Sequence, residues 1–279
     1  KELKDEAQED QPKPQASVCF QAAHLNAMIS SSQGDVATLA ELEIGTEQMS
    51  YYPALAVGNA YLANGQASDA LPAFLQVGRI DRGESWAGMG IAQLHRSQFE
   101  QAIGNLKQAL WRSPHDLALA DAYVAAETAA NGAEEAAKAM GELAAQAPTM
   151  GAWHLAHAKA LAAAGLDASE ALTKAEARIQ WDLTFQKNGE SMGLFAHAKI
   201  ARGDLVTAKA IANKAVKDFM VSVSGLTALA EIHRLESDLD TAKSLLRQAA
   251  VFGSPAIAAN VGVEMTAPEP ESTEDGTDE

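Results

Sequence analysis

Two histidines three residues apart, His154 and His157, are the residues whose type and spacing come nearest to a reactive site. On a helix this spacing places both rings on one face, where two imidazoles could bind one metal ion. No third ligand stands nearby in the sequence, and a metal site normally needs at least three protein ligands. We therefore interpret the pair as surface histidines and expect no metal and no cofactor.

Other signatures of catalysis are missing from the sequence. It contains no Gly-rich phosphate-binding loop, no Gly-x-Ser-x-Gly and no His-Glu-x-x-His motif. The single cysteine, Cys19, lies in an apolar run, which is typical of a small core residue rather than of a nucleophile. We predict that the chain is not an enzyme and has no catalytic residues. The alternative is an enzyme with a site around His154, His157, Trp181 and Asp182.

A repeated alanine indicates which elements hold these side chains. The alanines follow one another at intervals of 32, 34, 35, 37 and 34 residues, at Ala70, Ala102, Ala136, Ala171, Ala208 and Ala242. Each stands in the same local pattern of a helical stretch, a turn and a second helical stretch. A period near 34 with two helices in each unit predicts a helical solenoid, a fold that usually binds other molecules.

The clearest unit spans residues 83–116. Its first helix carries Trp86 and, four positions later, Gly90. Its second helix carries Ala102 where the two helices are expected to cross, and Pro114 ends the unit. Small residues at such places let two helix axes approach closely while large residues fill the gaps beside them. In this pattern the unit resembles the tetratricopeptide repeat family.

The resemblance covers roughly residues 50–255 and implies an all-α, right-handed superhelical solenoid of about six to seven repeats. We place the repeats at 51–84, 83–116, 117–150, 152–185, 189–222 and 223–255, with a degenerate cap at 18–49 and the solenoid as a whole over 18–260. The fourth repeat is the weakest match, because Lys159 and Arg178 stand where small or apolar residues are expected.

Charge is concentrated at the two ends of the chain. The formal net charge is −16; residues 264–279 hold seven acidic and no basic residues, and residues 1–14 hold five acidic residues against three lysines. We predict disordered tails at 1–17 and 261–279, which serve either solubility or an interaction with a basic partner. An acidic chain without a basic stripe is not expected to bind nucleic acid.

The sequence has no stretch of about 18 apolar residues, so no transmembrane segment is expected. The chain begins with Lys1 rather than Met, and we interpret it as a processed or trimmed product whose targeting signal is not visible. Trp111 and Trp181 have two interpretations: packing between repeats, or an exposed contact site, since tryptophan is enriched at binding hot spots.

In the tetratricopeptide family the first helices line a concave groove that binds partners, and the resemblance implies the same surface here. The groove residues it implies are Tyr52, Leu55, Asn59, Leu62, Ile91, Leu94, His95, Asp121, Thr128, His197, Glu231 and Arg234, with Thr227 beside them. Family members that clamp carboxylates use lysine, arginine and asparagine at these positions. Leu55 stands at the lysine position and Gly88 at a later asparagine position, so no such clamp is expected.

The predicted groove is therefore apolar and suited to an amphipathic helix or an apolar peptide. The alternative is that several of its residues serve packing only. We predict a protein-binding scaffold. Alanine-rich degenerate repeats, one cysteine and the missing Met resemble bacterial envelope proteins of pilus or secretion assembly, which implies a periplasmic or outer-membrane-associated location. A self-assembling structural protein is the second hypothesis, since an apolar groove can take a neighbour's helix or tail.

Overall fold

The computed structural model describes residues 51–78, 82–219 and 222–266, in which all regular structure is helical. The predicted N-terminal tail, the cap at 18–49 with Cys19, and residues 267–279 lie outside this part. Its helices are α1 Tyr51–Ala63, α2 Ala67–Val77, α3 Arg82–His95, α4 Phe99–Arg112, α5 Leu117–Asn131, α6 Ala133–Gln146, α7 Gly151–Ala163, α8 Ser169–Phe185, α9 Gly189–Ala201, α10 Leu205–Asp218, α11 Val223–Leu235, α12 Leu239–Phe252 and α13 Pro255–Thr266.

Twelve of these helices form six consecutive pairs, α1–α2 to α11–α12, and each pair packs against the next. The prediction of an all-α solenoid of helix pairs is thus confirmed. We call the surface formed by α1, α3, α5, α7, α9 and α11 the first-helix face. None of the helices in the described ranges is long and apolar enough to cross a membrane.

The six repeated alanines, one on the second helix of each pair, are all buried, at most 6 % exposed. Close packing also depends on glycine in the first two pairs. A Cβ added to Gly88 would lie 2.1 Å from the ring of Phe74, and one added to Gly90 would lie 2.7 Å from Leu106. Small residues thus let the helix axes come together, and the gaps are filled by Phe74 and Leu106, both fully buried.

In five of the six described pairs the turn uses a left-handed residue two to four positions before the second helix. Gly65, Gly165 and Gly203 have φ between 72° and 80°, and Ser97 and Ser237 hold the same place with φ of 59° and 62°. Side chains then cap several helices: for instance, Asp204 accepts from the Thr207 amide at 3.1 Å, and Asp238 and Asp116 act likewise at α12 and α5.

The fourth pair owes its irregular sequence to contacts that reach outside the pair. Lys159 of α7 forms an ion pair with Asp121 of α5, and Nε of Arg178 donates to the Thr149 carbonyl at 2.8 Å. The Arg178 guanidinium also lies over the ring of Trp181, 4.4 Å from its centroid. The two residues that depart from the repeat pattern are therefore explained by partners that an isolated unit lacks.

Trp111 and Trp181, for which the sequence left two interpretations, are each partly packed and partly exposed. Trp111 packs edge-on against the buried Trp153, with ring centroids 5.0 Å apart, and is 47 % exposed. Trp181 contacts Phe185 at 4.6 Å and is 50 % exposed. Neither ring is a core residue, so a contact role for them stays open.

Helix α13 has no second helix within the described ranges and was not predicted. It follows α12 after two residues, begins with Pro255, which suits the first helical position, and continues to Thr266, past the expected start of the tail at residue 261. It packs about as extensively against α1 as against α12, and it also contacts α3 and α5. The C-terminal helix thus lies on the first-helix face of the first three described pairs.

Candidate functional site

Helix α13 fills the part of the first-helix face where an open apolar groove was expected. Leu62 and Ile91 are only 2 % exposed, and they share one continuous core with Ile257 and Val261 of α13. Leu55 and Leu94 are half-buried and pack against the same core. The expectation of an open groove is wrong at Leu62 and Ile91, because a helix outside the 34-residue period covers this surface.

Four other predicted groove residues lie at the margins of this surface. Asn59 is half-buried, and its side-chain oxygen is buried without a hydrogen-bond partner. His95 and Thr128 are exposed near the ends of α3 and α5. Tyr52 lies in the first turn of α1. The structure does not bring Asn59, His95 and Thr128 into one site.

The remaining four predicted residues, Asp121, His197, Glu231 and Arg234, lie together in a pocket of about 240 Å³. First helices α5, α7, α9 and α11 form its floor, and α12 and α13 form one wall. Its other lining residues are Asp116, Leu117, Ala118, Lys159, Ser224, Thr227, Ala230, Ala242, Leu246, Ile257 and Asn260. The open part of the first-helix face is thus charged and polar at its floor rather than uniformly apolar.

Asp121 and Lys159 form the first charged pair in this pocket and link α5 to α7. Burial disfavours the ammonium of Lys159, but the negative charges of Asp121 and Glu231 outweigh burial and raise the pKa of Lys159. Lys159 therefore stays protonated at neutral pH. It was noticed in the sequence only as a misfit in the repeat.

His197 and Glu231 form the second pair and link α9 to α11. His197 is 8 % exposed; its Nδ1 lies 2.8 Å from Oε2 of Glu231, and its Nε2 lies 3.0 Å from Oγ1 of Thr227. Burial alone would raise the pKa of Glu231, but the contact with His197 and the charges of Lys159 and Arg234 lower it to about 2. The carboxylate is ionised throughout the physiological range.

The close approach of α9 and α11 explains why His197 and Glu231 meet. A Cβ on Gly193 would lie 2.3 Å from the carbonyl carbon of Ser224 and 2.4 Å from the amide nitrogen of Gly225, so the two backbones touch there. The carboxylate of Glu190, in the first turn of α9, accepts from the amides of Val223 and Ser224 at 2.7 and 3.0 Å. Both contacts fix the start of α11 against α9.

The order Glu231, His197, Thr227 is that of an acid, a base and a hydroxyl nucleophile, so catalysis has to be considered. The hydroxyl of Thr227 donates its one proton to the Ser224 carbonyl at 3.1 Å, so its oxygen is left to accept from the imidazole. Thr227 also lies inside α11, where backbone amides are used by the helix and cannot stabilise an oxyanion. The network therefore joins two helices and does not activate a nucleophile.

Arg234 differs from the other charged groups of the pocket because it is exposed and has no carboxylate within ion-pair distance among the described residues. Beside it, Leu246 and Ile257 supply apolar surface. Asp116, the N-cap of α5, lies at the other side, where burial raises its pKa against the opposing effects of the Ser254 hydroxyl and the Leu119 amide. The pocket thus offers one free guanidinium next to an apolar wall.

A second buried carboxylate, Glu127, lies outside this pocket. The Tyr123 hydroxyl and the Asn131 amide each donate to it at 2.8 Å. Burial and the neighbouring Glu127 raise the pKa of Tyr123. Both carboxylate oxygens have partners, so this cluster stabilises α5. No group of residues that could hold a metal ion, including His154 and His157, occurs in the described ranges.

Sequence reasoning missed Ile257 and Asn260 of the pocket wall, since it assigned no helix after residue 255. The available signal was the apolar run from Pro255 to Val263, which follows directly on the last repeat. A helix that is apolar on all sides must be covered by other parts of the protein.

No family model matches the chain, and a search of curated proteins finds no match. Solved structures do resemble it. One is a tetratricopeptide repeat protein from Parabacteroides merdae ATCC 43184, with 10 % sequence identity, 88 % of this chain and 98 % of that chain covered, and a TM-score of 0.39. Another is the APC/C hetero-tetramer Cut9–Hcn1, with 14 % identity, 84 % and 46 % covered, and a TM-score of 0.36. Similarity at this level says nothing about what this chain binds.

Proposed function

We propose that the chain is a non-enzymatic scaffold that binds a segment of a protein partner in the pocket between α5, α7, α9 and α11. The single observation that carries the proposal is the position of Arg234, an exposed guanidinium without a carboxylate partner among the described residues, in the pocket that the apolar Leu246 and Ile257 also line. The proposed site is smaller and more polar than the apolar groove anticipated from the repeats.

The pocket favours an extended peptide over a helix. An amphipathic helix docks through a long apolar stripe, whereas the floor of this pocket of about 240 Å³ is charged and polar. A few side chains of an extended segment fit this volume. An acidic side chain would pair with Arg234, because guanidinium binds carboxylate by two parallel hydrogen bonds, and an adjacent apolar side chain would contact Leu246 and Ile257.

The internal charges of the pocket support binding rather than chemistry. Lys159 and His197 already face Asp121 and Glu231, so the floor is preorganised and offers no free base. A rigid site loses little conformational entropy when it binds a peptide.

We keep the narrower hypothesis that the partner belongs to a bacterial envelope assembly, such as a pilus or secretion machine, with a periplasmic or outer-membrane-associated location. Its support is the resemblance in the sequence: alanine-rich degenerate repeats and one cysteine.

The test compares two charge reversals in cross-linking pull-downs from the native source. Arg234→Glu should lose the partner that the wild type recovers, because the new carboxylate repels an acidic segment. Lys107→Glu, on the exposed side of α4, is the matched control and should recover it in full. Equal recovery by folded Arg234→Glu would place the partner elsewhere on the chain and reject the proposal.

A further inference from the structure

Helix α13 is buried almost all round. Of its side chains that the structure describes, Pro255 to Ala259 and Val261 are buried, and only Asn260 is exposed. An apolar helix without a cover would expose these side chains to water, so α13 is stable only against a matching surface.

Most of this cover comes from the distant end of the described chain. The surface beneath α13 is formed by α1, α3 and α5, which lie more than 120 residues before it in sequence. The connection to α12 is only Gly253 and Ser254. The contacts that hold α13 therefore depend on its sequence and not on which molecule it belongs to.

We propose that α13 can be exchanged between two copies of this chain, each copy placing its α13 on the α1, α3 and α5 surface of the other. Every contact between α13 and the α1, α3 and α5 surface is kept in the exchanged dimer, because the helix that covers this surface is identical in the two copies. Each pocket would then contain Ile257 and Asn260 from the second copy. Exchange of an identical element is a low-cost route to a symmetric dimer.

The connection gives a way to control the exchange. A Cβ at Gly253 would lie 2.8 Å from Cδ1 of Ile257 and 2.9 Å from the carbonyl oxygen of Ala249, so the closed turn has room for glycine only. A larger residue there forces the connection open. An open connection disfavours the packing of α13 on its own molecule. The surface formed by α1, α3 and α5 stays intact, so the α13 of a second copy can occupy it.

Light scattering on the full chain tests the proposal with three variants. Gly253→Val should raise the dimer association constant about tenfold or more over the wild type. Gly104→Val is the matched control, since a Cβ at Gly104 meets nothing within 4 Å, and it should behave as the wild type. Adding Ile257→Asp to Gly253→Val should abolish the dimer, because the charge cannot enter the core.

Two results would overturn the proposal: folded Gly253→Val that stays monomeric, or a dimer that survives Ile257→Asp. The wild type provides a measurement that does not depend on folding of any variant. Refolded from urea at about 500 µM, where mass action favours association, it should yield dimers that separate slowly on dilution. Only monomers after this treatment would also reject the exchange, and neither result bears on Arg234 and partner binding.

Discussion

His197 and Glu231, 34 residues apart in the sequence, meet with Nδ1 and Oε2 at 2.8 Å and join two first helices of adjacent repeats. The spacing equals the repeat period, so equivalent faces of α9 and α11 bring them together. The positive charges of Lys159 and Arg234 also lower the pKa of Glu231, so this carboxylate interacts with three basic residues of the pocket.

The titration of Glu231 predicts a loss of stability in acid. Its pKa is lowered from 4.5 to about 2 in the folded chain, so its contribution is present above pH 4.5 and is lost as the pH falls towards 2. The difference corresponds to about 3 kcal/mol. Urea unfolding at pH 7 and at pH 3 measures this loss. Glu231→Gln should have a lower unfolding free energy than the wild type at pH 7, and its unfolding free energy should fall less than that of the wild type between pH 7 and pH 3. Glu100→Gln, an exposed control on α4, should follow the wild type.

Gly193 is the residue at which an added methyl group should do most harm. Because the Cβ would meet the backbone of Ser224 and Gly225, α9 and α11 would have to separate, and we expect Gly193→Ala to lower the unfolding free energy by about 1–3 kcal/mol. Gly104→Ala has open space and should stabilise its helix by about 0.5–1 kcal/mol. Thermal unfolding of both variants measures the contrast; equal melting temperatures would contradict the close contact.

Ile91 should act as a core residue and not as a ligand contact. Its side chain is 2 % exposed on α3, a helix that α13 contacts, so Ile91→Ala should cost about 2–4 kcal/mol of stability, and Ile91→Glu should unfold the first pairs. The exposed Arg234→Glu should leave far-UV helicity unchanged. Folded, helical Ile91→Glu would mean that α13 does not cover this position.

Two serines hold left-handed turns that glycine occupies elsewhere in the array. Ser97 and Ser237 have φ of 59° and 62°, a conformation that costs a residue with a Cβ about 1 kcal/mol. Ser97→Gly and Ser237→Gly should therefore each raise the melting temperature slightly, and Gly203→Ser should lower it. Calorimetry can resolve these shifts, and a lower melting temperature for both glycine variants would argue against the left-handed turns.

The sequence predicted the helix pairs because the alanines recur at one place in each pair, and every one of those alanines is buried. It also brought Asp121, His197, Glu231 and Arg234 onto one face, since they occupy related places in the first helices of three repeats. Their pairing could not be predicted: it depends on how closely α9 approaches α11, which Gly193 sets through contact with a backbone 31 residues away.

Lys159 and α13 show the limit of reasoning from a repeat. Lys159 departs from the pattern, and the partner that explains it, Asp121, lies in the previous unit. Helix α13 has no repeat position at all, so no register could place it over Ile91. A pattern defined within one unit predicts neither the contacts between units nor the contacts of segments that are not repeated.

The position of α13 changes how the array should come apart. In an open repeat array each unit touches only its neighbours, so terminal units fray and unfolding spreads along the line. Here α13 makes the last described pair a neighbour of the first three. The described array therefore has fewer free ends, its number of units is constrained by the need to close, and it should lose its structure in one cooperative step rather than unit by unit.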